Sequence, residues 1–252
     1  MSNQGWEFSA DANVFKSKDW KLSLNFNISQ NRNEILELPE NKLDMNYTFD
    51  NKSYAYKLST GEPLGSFYGY KCLGVYQNIA ETYAKDGNGK TINDINGNPV
   101  VMKNGTVKVY PGDAKYADMN HDGVINKYDI VYIGNSNPLF IGGFGFNLTY
   151  KNVGLVASFH GRAGQKVINA VRMNNEFMYG NDNQSTAVLG RWRKEGDPKV
   201  IPRALYKRGY NDLGSDRFLE DASFLRLKTP IVMFLVSPLA TTTLSSLLLY
   251  PK

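Results

Sequence analysis

The chain has little of what most redox and metal-dependent sites require. Of its 252 residues, only Cys72 is a cysteine, and the two histidines, His121 and His160, lie far apart. A single cysteine excludes a disulfide within the chain and a thiolate metal centre. Neither histidine has a Cys or Glu at the spacing of a zinc site. The sequence also contains no Ser/His/Asp set and no phosphate-binding loop, so it is not expected to be an enzyme.

Long runs of one charge and targeting segments are also missing. The net charge of +5 is spread along the chain, without the basic block that follows a phosphate backbone, so nucleic acid is not an expected partner. The N-terminal residues lack the basic head and apolar stretch of a signal peptide. Residues 229–251 carry no charge, but Pro230 and Pro238 argue against a transmembrane helix there.

Aromatic and turn-forming residues are abundant. Aromatics make up 13% of the chain, with 16 Tyr and 13 Phe, and there are 23 glycines, which favours strands and turns over helices. Strict apolar/polar alternation over 6–14 and 20–28, and again over 144–150 and 153–159, predicts two β-hairpins. We therefore expect a mainly β, antiparallel fold with long loops, and a short helix within 169–179.

The face that each hairpin buries decides between two architectures. Strands of about nine residues can cross a bilayer when tilted, whereas a soluble sandwich shows the same alternation, usually with shorter strands. For a transmembrane β-barrel, we expect Trp6, Trp20, Phe144 and Tyr150 to lie together on the lipid side. In a sandwich, the same side chains would be enclosed between two sheets.

Residues 118–129 read D-M-N-H-D-G-V-I-N-K-Y-D, which resembles an EF-hand calcium loop. Calcium prefers six to eight oxygen ligands, and Gly at position 6 permits the sharp turn of such loops. The candidate ligands are Asp118, Asn120, Asp122, the Val124 carbonyl, Asn126 and Asp129. Ile125 is placed to anchor the loop in a core. Position 12 is Asp rather than Glu, and the alternative is a turn rich in Asp, Asn and Gly between two strands. Any calcium would be structural.

Four segments, in order, resemble motifs of one family. They are G-E-P-L-G-S-F-Y-G-Y at 61–70 with G-V-Y-Q at 74–77, Y-P-G-D-A-K-Y-A-D-M-N-H-D-G-V-I at 110–125, I-G-N-S-N-P-L-F at 133–140 and F-L-E-D-A-S-F-L-R-L-K at 218–228. Together they resemble the SusC/RagA family of TonB-linked outer-membrane importers of the Bacteroidetes. The resemblance covers about residues 3–228.

The resemblance implies a location and partners. It implies a piece of an outer-membrane barrel in a Gram-negative, Bacteroidetes-like cell, surrounded by outer-membrane lipid. The whole protein would import oligosaccharides, peptides or other polymer fragments with a SusD-like surface lipoprotein and TonB. Phe67, Tyr68 and Tyr70 could then stack on sugar rings, although packing within strands is favoured. The alternative is a soluble, calcium-stabilised carbohydrate-binding module.

The chain also departs from the family pattern. Family members are several times longer and carry an N-terminal plug domain and a TonB-contacting box, so the chain resembles a C-terminal barrel fragment that would not transport alone. After Lys228 the sequence loses Gly, Asn and Asp together. We therefore interpret 1–228 as a partial TonB-dependent receptor barrel and 229–252 as an aberrant tail from a shifted reading frame. The alternative for this tail is a divergent final strand pair.

Overall fold

A computed structural model describes residues 1–39 and 47–234 of the chain. Contacts divide the chain into two compact units. Among the described residues, the loop unit comprises Met1–Gln4, 31–39, 47–139 and Gly164–Ser223, and the sheet unit comprises Gly5–Gln30, Phe140–Ala163 and 224–234. Within the described ranges, no helix has the length and apolar character needed to cross a membrane.

Strands dominate the described residues, as the composition predicts. In chain order they are β1 (Ser2–Lys16), β2 (Trp20–Glu34), β3 (Ser66–Gly69), β4 (Cys72–Val75), β5 (Lys103–Asn104), β6 (Val107–Lys108), β7 (Ala114–Tyr116), β8 (Val124–Ile125), β9 (Val131–Asn135), β10 (Phe140–Tyr150), β11 (Val153–Ala163), β12 (Lys166–Ile168), β13 (Leu219–Asp221) and β14 (Phe224–Phe234). The α-helix α1 spans Ala170–Asn175, which confirms the short helix predicted within 169–179. In the described ranges, 3-10 helices cover Ile79–Thr82, Lys127–Asp129, Thr186–Gly190 and Asp216–Phe218.

The sheet unit contains one five-stranded sheet in the order β1-β2-β10-β11-β14. Both predicted hairpins are present, and their strands are longer than the alternation suggested. β10 is antiparallel to β2 and to β11, and β11 is antiparallel to β14. Across the first hairpin, Trp6 Nε1 donates to Gln30 Oε1 and Ser23 Oγ donates to Asn13 Oδ1, so each bond joins residues equally far from the turn. That relation is the one expected for antiparallel neighbours.

One side of this sheet forms an aromatic face, because period-2 alternation places every second side chain on the same side. Its aromatic members are Trp6, Phe8, Trp20, Phe26, Phe140, Phe144, Phe146, Tyr150, Phe159 and Phe234. Trp20 lies opposite Tyr150, with ring centroids 4.3 Å apart, and Phe144 stacks on Phe159 at 4.5 Å. Trp6 is 47% exposed, and Trp20, Phe144 and Tyr150 are almost as open. The four predicted side chains therefore share one exposed face instead of an enclosed core.

β14 extends the sheet beyond Lys228. Thr229 lies opposite Ser158 and Phe234 opposite Val153, with a register shift between Ser158 and Phe159. Ile231 and Met233 lie on the polar side of the sheet, opposite Val156 and Gly154. The strand is therefore apolar on both sides after Lys228, which matches the change in composition there. The aberrant origin of the tail stays a prediction, and residues 235–252 lie outside the described part of the chain.

Short strand pairs surround a compact core in the loop unit. β3 pairs with β9, β4 with β7 and β12 with β13, and β6-β5-β8 form a three-stranded sheet. The core residues are Tyr70, Tyr76, Ala84, Met102, Val109, Ala114, Tyr116, Ile125 and Leu213. Their side chains come from distant positions of the chain, so long-range contacts hold this unit together.

Residues 86–98 of the loop unit, which are rich in Gly and Asn, form two turns of the same kind. Asp86 Oδ1 accepts from the N–H groups of Asn88 and Lys90, and Asp94 Oδ1 accepts from those of Asn96 and Asn98. Each turn is closed by a backbone N–H of a glycine with positive φ, a conformation that glycine adopts readily. The stretch therefore consists of two tight turns, each held by one carboxylate and backbone N–H groups.

Candidate functional site

The calcium-like loop at 118–129 begins with a network of local hydrogen bonds. Asp118 Oδ1 accepts from the N–H of Asp122 at 3.3 Å, and Asp118 Oδ2 from that of Gly123 at 2.8 Å. Asn120 Oδ1 also accepts from the N–H of Asp122, and its Nδ2 donates to Asp122 Oδ2 at 2.9 Å. Gly123 has φ +81°, as position 6 of such a loop requires. The first three candidate ligands thus lie together in one tight turn.

Asp129, at the end of the loop, is fully buried and closes it. Its Oδ1 accepts from the N–H of Met119 and its Oδ2 from that of Asn126, both at 2.8 Å. Burial raises the pKa of Asp129, and the negative charges of Asp118 and Asp122 raise it further, whereas its two N–H donors act in the opposite direction. The carboxylate of this residue therefore joins the two ends of the loop.

The middle of the loop is anchored to the core of the loop unit. Ile125, at position 8, is 0% exposed, which confirms the predicted anchor. Tyr70, also fully buried, donates its hydroxyl to the carbonyl of Asn126 at 3.1 Å. Asn126 Nδ2 in turn donates to the Val124 carbonyl at 3.0 Å. The F-Y-G-Y segment and the calcium-like loop, distant in sequence, therefore meet at Tyr70.

The donor set suits a hard cation, although its oxygens are engaged in hydrogen bonds. Within the described residues, no three Asp, Glu, His or Cys side chains form a group that could hold a metal ion. A carboxylate has about four lone-pair sites, so Asp118 and Asp122 keep capacity beyond the bonds described above. The chemistry of the ligands fits calcium, and calcium binding by these six residues stays a prediction.

The family-like motifs form packing contacts. Tyr68 and Tyr70 are buried, and their rings pack edge to face on Tyr132 and on Phe49. These contacts support the packing role that was favoured over sugar stacking. The first and third motifs meet where β3 pairs with β9. Phe218, which opens the fourth motif, is fully buried.

Sequence reasoning did not identify a cavity of about 340 Å³ in the loop unit. Asn104, Lys108, Arg203 and Arg208 contribute to its wall, together with two tyrosines. These residues come from two segments about a hundred positions apart, with no spacing that links them. No signal in the sequence alone could have grouped them.

Comparison with known proteins decides the family. TonB-dependent receptor P26 of Formosa agariphila is 30% identical over 230 residues, which cover 91% of this chain and 21% of the relative. TonB-dependent receptor SusC of Bacteroides thetaiotaomicron is 28% identical over 239 residues, which cover 90% of this chain and 20% of the relative. The chain belongs to the SusC/RagA family of TonB-dependent receptors. It spans about one fifth of the length of these curated relatives, and no protein-family model matches it.

Solved structures support the fold of this SusC/RagA-family segment. It superposes on the RagAB peptide transporter with a TM-score of 0.62 at 23% identity, covering 96% of this chain and 24% of that one. A second RagAB structure, of the peptide importer in the open-open state, gives a TM-score of 0.58 at 21% identity. At these identities the likeness shows a shared fold, which is antiparallel and mainly β.

Proposed function

We propose that this SusC/RagA-family segment forms part of the wall of a TonB-dependent transporter in the outer membrane of a Gram-negative, Bacteroidetes-like cell. The whole transporter would import oligosaccharides or other polymer fragments, with a SusD-like lipoprotein above it and TonB supplying energy. The observation that carries the proposal is the exposed aromatic face of the antiparallel sheet. A soluble sandwich would bury such a face between two sheets.

The opposite face of the same sheet supports this assignment. Its residues are small or polar over much of its area, including Ser23, Asn25, Asn147 and Ser158. A transmembrane barrel strand alternates in this way, with apolar side chains toward lipid and polar ones toward the lumen. Trp20 and Tyr150, paired beside the turns, match the girdles of aromatic residues at membrane interfaces.

The relatives are consistent with a SusD-like partner and with polymer fragments as cargo, but they do not identify either one. SusC and P26 are TonB-dependent receptors, and RagAB is a peptide transporter. Most residues of the four motifs that resemble this family belong to the loop unit, where they make packing contacts, so they indicate a common scaffold more than a common ligand. We therefore assign the cargo only as oligosaccharide or other polymer fragments.

Within this transporter we assign the 118–129 loop to structural calcium. A calcium ion bound by this loop would offset the negative charges of Asp118 and Asp122, which add to the effect of burial in raising the pKa of Asp129. Asn120, Asn126 and the Val124 carbonyl would complete an oxygen cage. The ion would stiffen the loop where Ile125 and Tyr70 fix it to the core, and it would have no catalytic role.

Fluorescence quenching in vesicles containing brominated phospholipid acyl chains tests the lipid-facing assignment. A Trp6→Phe, Trp192→Phe variant of the reconstituted chain keeps only Trp20, on the aromatic face. The matched control, Trp6→Phe, Trp20→Phe, keeps only Trp192, which is buried in the loop unit. We expect strong quenching of Trp20 and little quenching of Trp192.

Two outcomes would contradict the assignment. Equal quenching of Trp20 and Trp192 would show that the aromatic face does not meet lipid selectively. A chain that stays in solution as a monomer without lipid or detergent would favour the soluble carbohydrate-binding module instead.

A further inference from the structure

Two aspartates of the loop unit are equally buried but differ in their hydrogen bonds. Asp113 and Asp212 are each 5% exposed. Asp113 accepts from Arg203 Nε at 2.7 Å and Nη2 at 3.1 Å, and from the backbone N–H of Tyr110 at 2.9 Å. In the described part of the chain, no hydrogen bond reaches the side-chain oxygens of Asp212. A buried carboxylate without donors is unfavourable in its charged form.

The arginine beside Asp212 is already engaged with another acid. Arg217 Nη2 donates to Glu176 at 2.7 Å, whereas its Nη1 lies 3.8 Å from Asp212 Oδ1 and has no hydrogen-bond partner within the described residues. Glu176 is also 5% exposed, and Arg172 Nε donates to it at 2.8 Å. Two buried acids therefore share one largely buried arginine, and Asp212 is the poorly paired one.

These surroundings favour the protonated form of Asp212. Burial raises its pKa to about 6, against the opposing charges of Arg217 and Lys52, and the negative charge of Glu176 raises it further. An aspartate in an unfolded chain has a pKa of about 3.9, so the folded chain binds the proton more tightly. The stability from this group is therefore complete below about pH 4 and is lost as pH rises through about 6. Other titratable or charged groups around Asp212 are Tyr116, Tyr179, Arg203 and Arg208.

Asp212 lies where two distant segments of the loop unit pair. Its N–H donates to Asn51 Oδ1 at 3.0 Å, and its carbonyl accepts from the N–H of Lys52. We call the pairing of 51–53 with 212–214 the Asp212 junction. The side-chain charge of Asp212 therefore lies beside the backbone hydrogen bonds that join these segments.

We propose that Asp212 is a pH-sensitive switch that holds the Asp212 junction more tightly in mildly acidic solution than at neutral pH. Its carboxylate takes one proton from the solvent and becomes a neutral carboxyl group. The repulsion from Glu176 then ends, and Arg217 stays paired with Glu176. The switch is independent of transport and of calcium, because all of these residues belong to the loop unit and none is a candidate calcium ligand.

Hydrogen exchange of the full chain in detergent, followed by mass spectrometry, tests the switch. Asp212→Asn keeps the shape of the side chain but cannot carry its charge. At about pH 7.5 the amides of the Asp212 junction should exchange at least about tenfold more slowly in Asp212→Asn than in the unchanged chain, since one pKa unit corresponds to a tenfold change in equilibrium. The two proteins should converge as pH falls toward about 4, because Asp212 then becomes neutral.

Asp113→Asn is the matched control, because it neutralises an equally buried aspartate that has its donors. It removes the charge that pairs with Arg203, so it should lower the melting temperature at about pH 7.5. Asp212→Asn should raise the melting temperature under the same conditions.

Lys52→Gln provides a second test that leaves Asp212 in place. Lys52 favours only the charged form of Asp212, and its Nζ also lies 3.6 Å from the centroid of the Phe177 ring. Loss of the ring contact does not depend on the charge of Asp212. The variant should therefore lower the melting temperature more at about pH 7.5 than at about pH 5.

Four results would overturn the proposal. They are equal or faster exchange in Asp212→Asn at neutral pH, a difference between the two proteins that does not change with pH, an Asp212→Asn chain that fails to fold at neutral pH, and an equal effect of Lys52→Gln at both pH values. The first and third would show that the ionised carboxylate holds the junction through Arg217.

Discussion

At the scale of single residues, the glycine of the F-Y-G-Y motif is required by close contact between backbone segments. A Cβ atom on Gly69 would lie 2.5 Å from the carbonyl oxygen of Gly214, and one on Gly214 would overlap the carbonyl of Ser53. The N–H of Tyr70 donates to the Gly214 carbonyl at 2.9 Å, and the N–H of Gly214 donates to the Ser53 carbonyl at 3.1 Å. Three backbone segments are therefore in direct contact, which requires the absence of side chains at both glycines.

Gly214→Ala should destabilise the loop unit by about 1–3 kcal/mol or more, because the new methyl group must push apart hydrogen-bonded backbone. Gly190→Ala is the matched control, since a Cβ there meets no atom within 4 Å and its φ is not positive. Denaturant unfolding of both variants in detergent measures the difference. Equal stability of the two variants would show that the segments around Gly214 can separate at little cost.

At the scale of elements, three similar Asp-led segments form two simple turns and one candidate cation loop. The turns that begin at Asp86 and Asp94 and the loop that begins at Asp118 all start with an Asp that accepts backbone N–H groups. Only the last also has a buried acid at its far end, Asp129. That second carboxylate distinguishes a candidate cation loop from a solvated turn.

Calcium should raise the thermal stability of the chain, since a ligand that binds only the folded state stabilises it by about 2.7 kcal/mol at a hundred times its dissociation constant. Asp122→Ala should abolish this shift by removing the ligand at position 5. Asp86→Ala breaks a comparable turn without a distal acid, so it should keep the full response. Melting curves with calcium and with a chelator measure the effect, and an identical shift in both variants would exclude the loop as the site.

At the scale of the whole molecule, the sheet has two open edges. Within the described residues, β1 and β14 each have a neighbour on only one side. Unpaired backbone groups are costly in lipid, where no water can satisfy them. In the proposed transporter the sheet would need further strands to complete a wall, since about 22 strands form the barrel of a large outer-membrane transporter.

The chain by itself should require detergent to remain dispersed, because its aromatic face and both strand edges are open to association. Size-exclusion chromatography above and below the critical micelle concentration measures this dependence. We expect a defined detergent complex above it and large aggregates below it. A single monodisperse species under both conditions would contradict the expectation.

The sequence predicted those elements that depend only on residues close together in the chain. The alternation at 6–14, 20–28, 144–150 and 153–159 predicted both hairpins, since period 2 fixes which side chains of one strand share a side. The barrel hypothesis predicted that Trp20 and Tyr150, on different hairpins, lie on the same face. The four motifs predicted the family. Ile125 could be predicted as an anchor because its position in the loop implies burial.

Tertiary structure decided what depends on contacts between distant segments. Tyr70 meets Asn126, Gly69 meets Gly214, and Asn104 and Arg208 line one cavity, although each pair is far apart in sequence. No periodicity or spacing encodes such pairings, because they arise when short strands pack around a common core. The sequence by itself therefore determined the strands of the two hairpins, their apolar face and the family, and only the packing of the chain decided which side chains from distant segments meet.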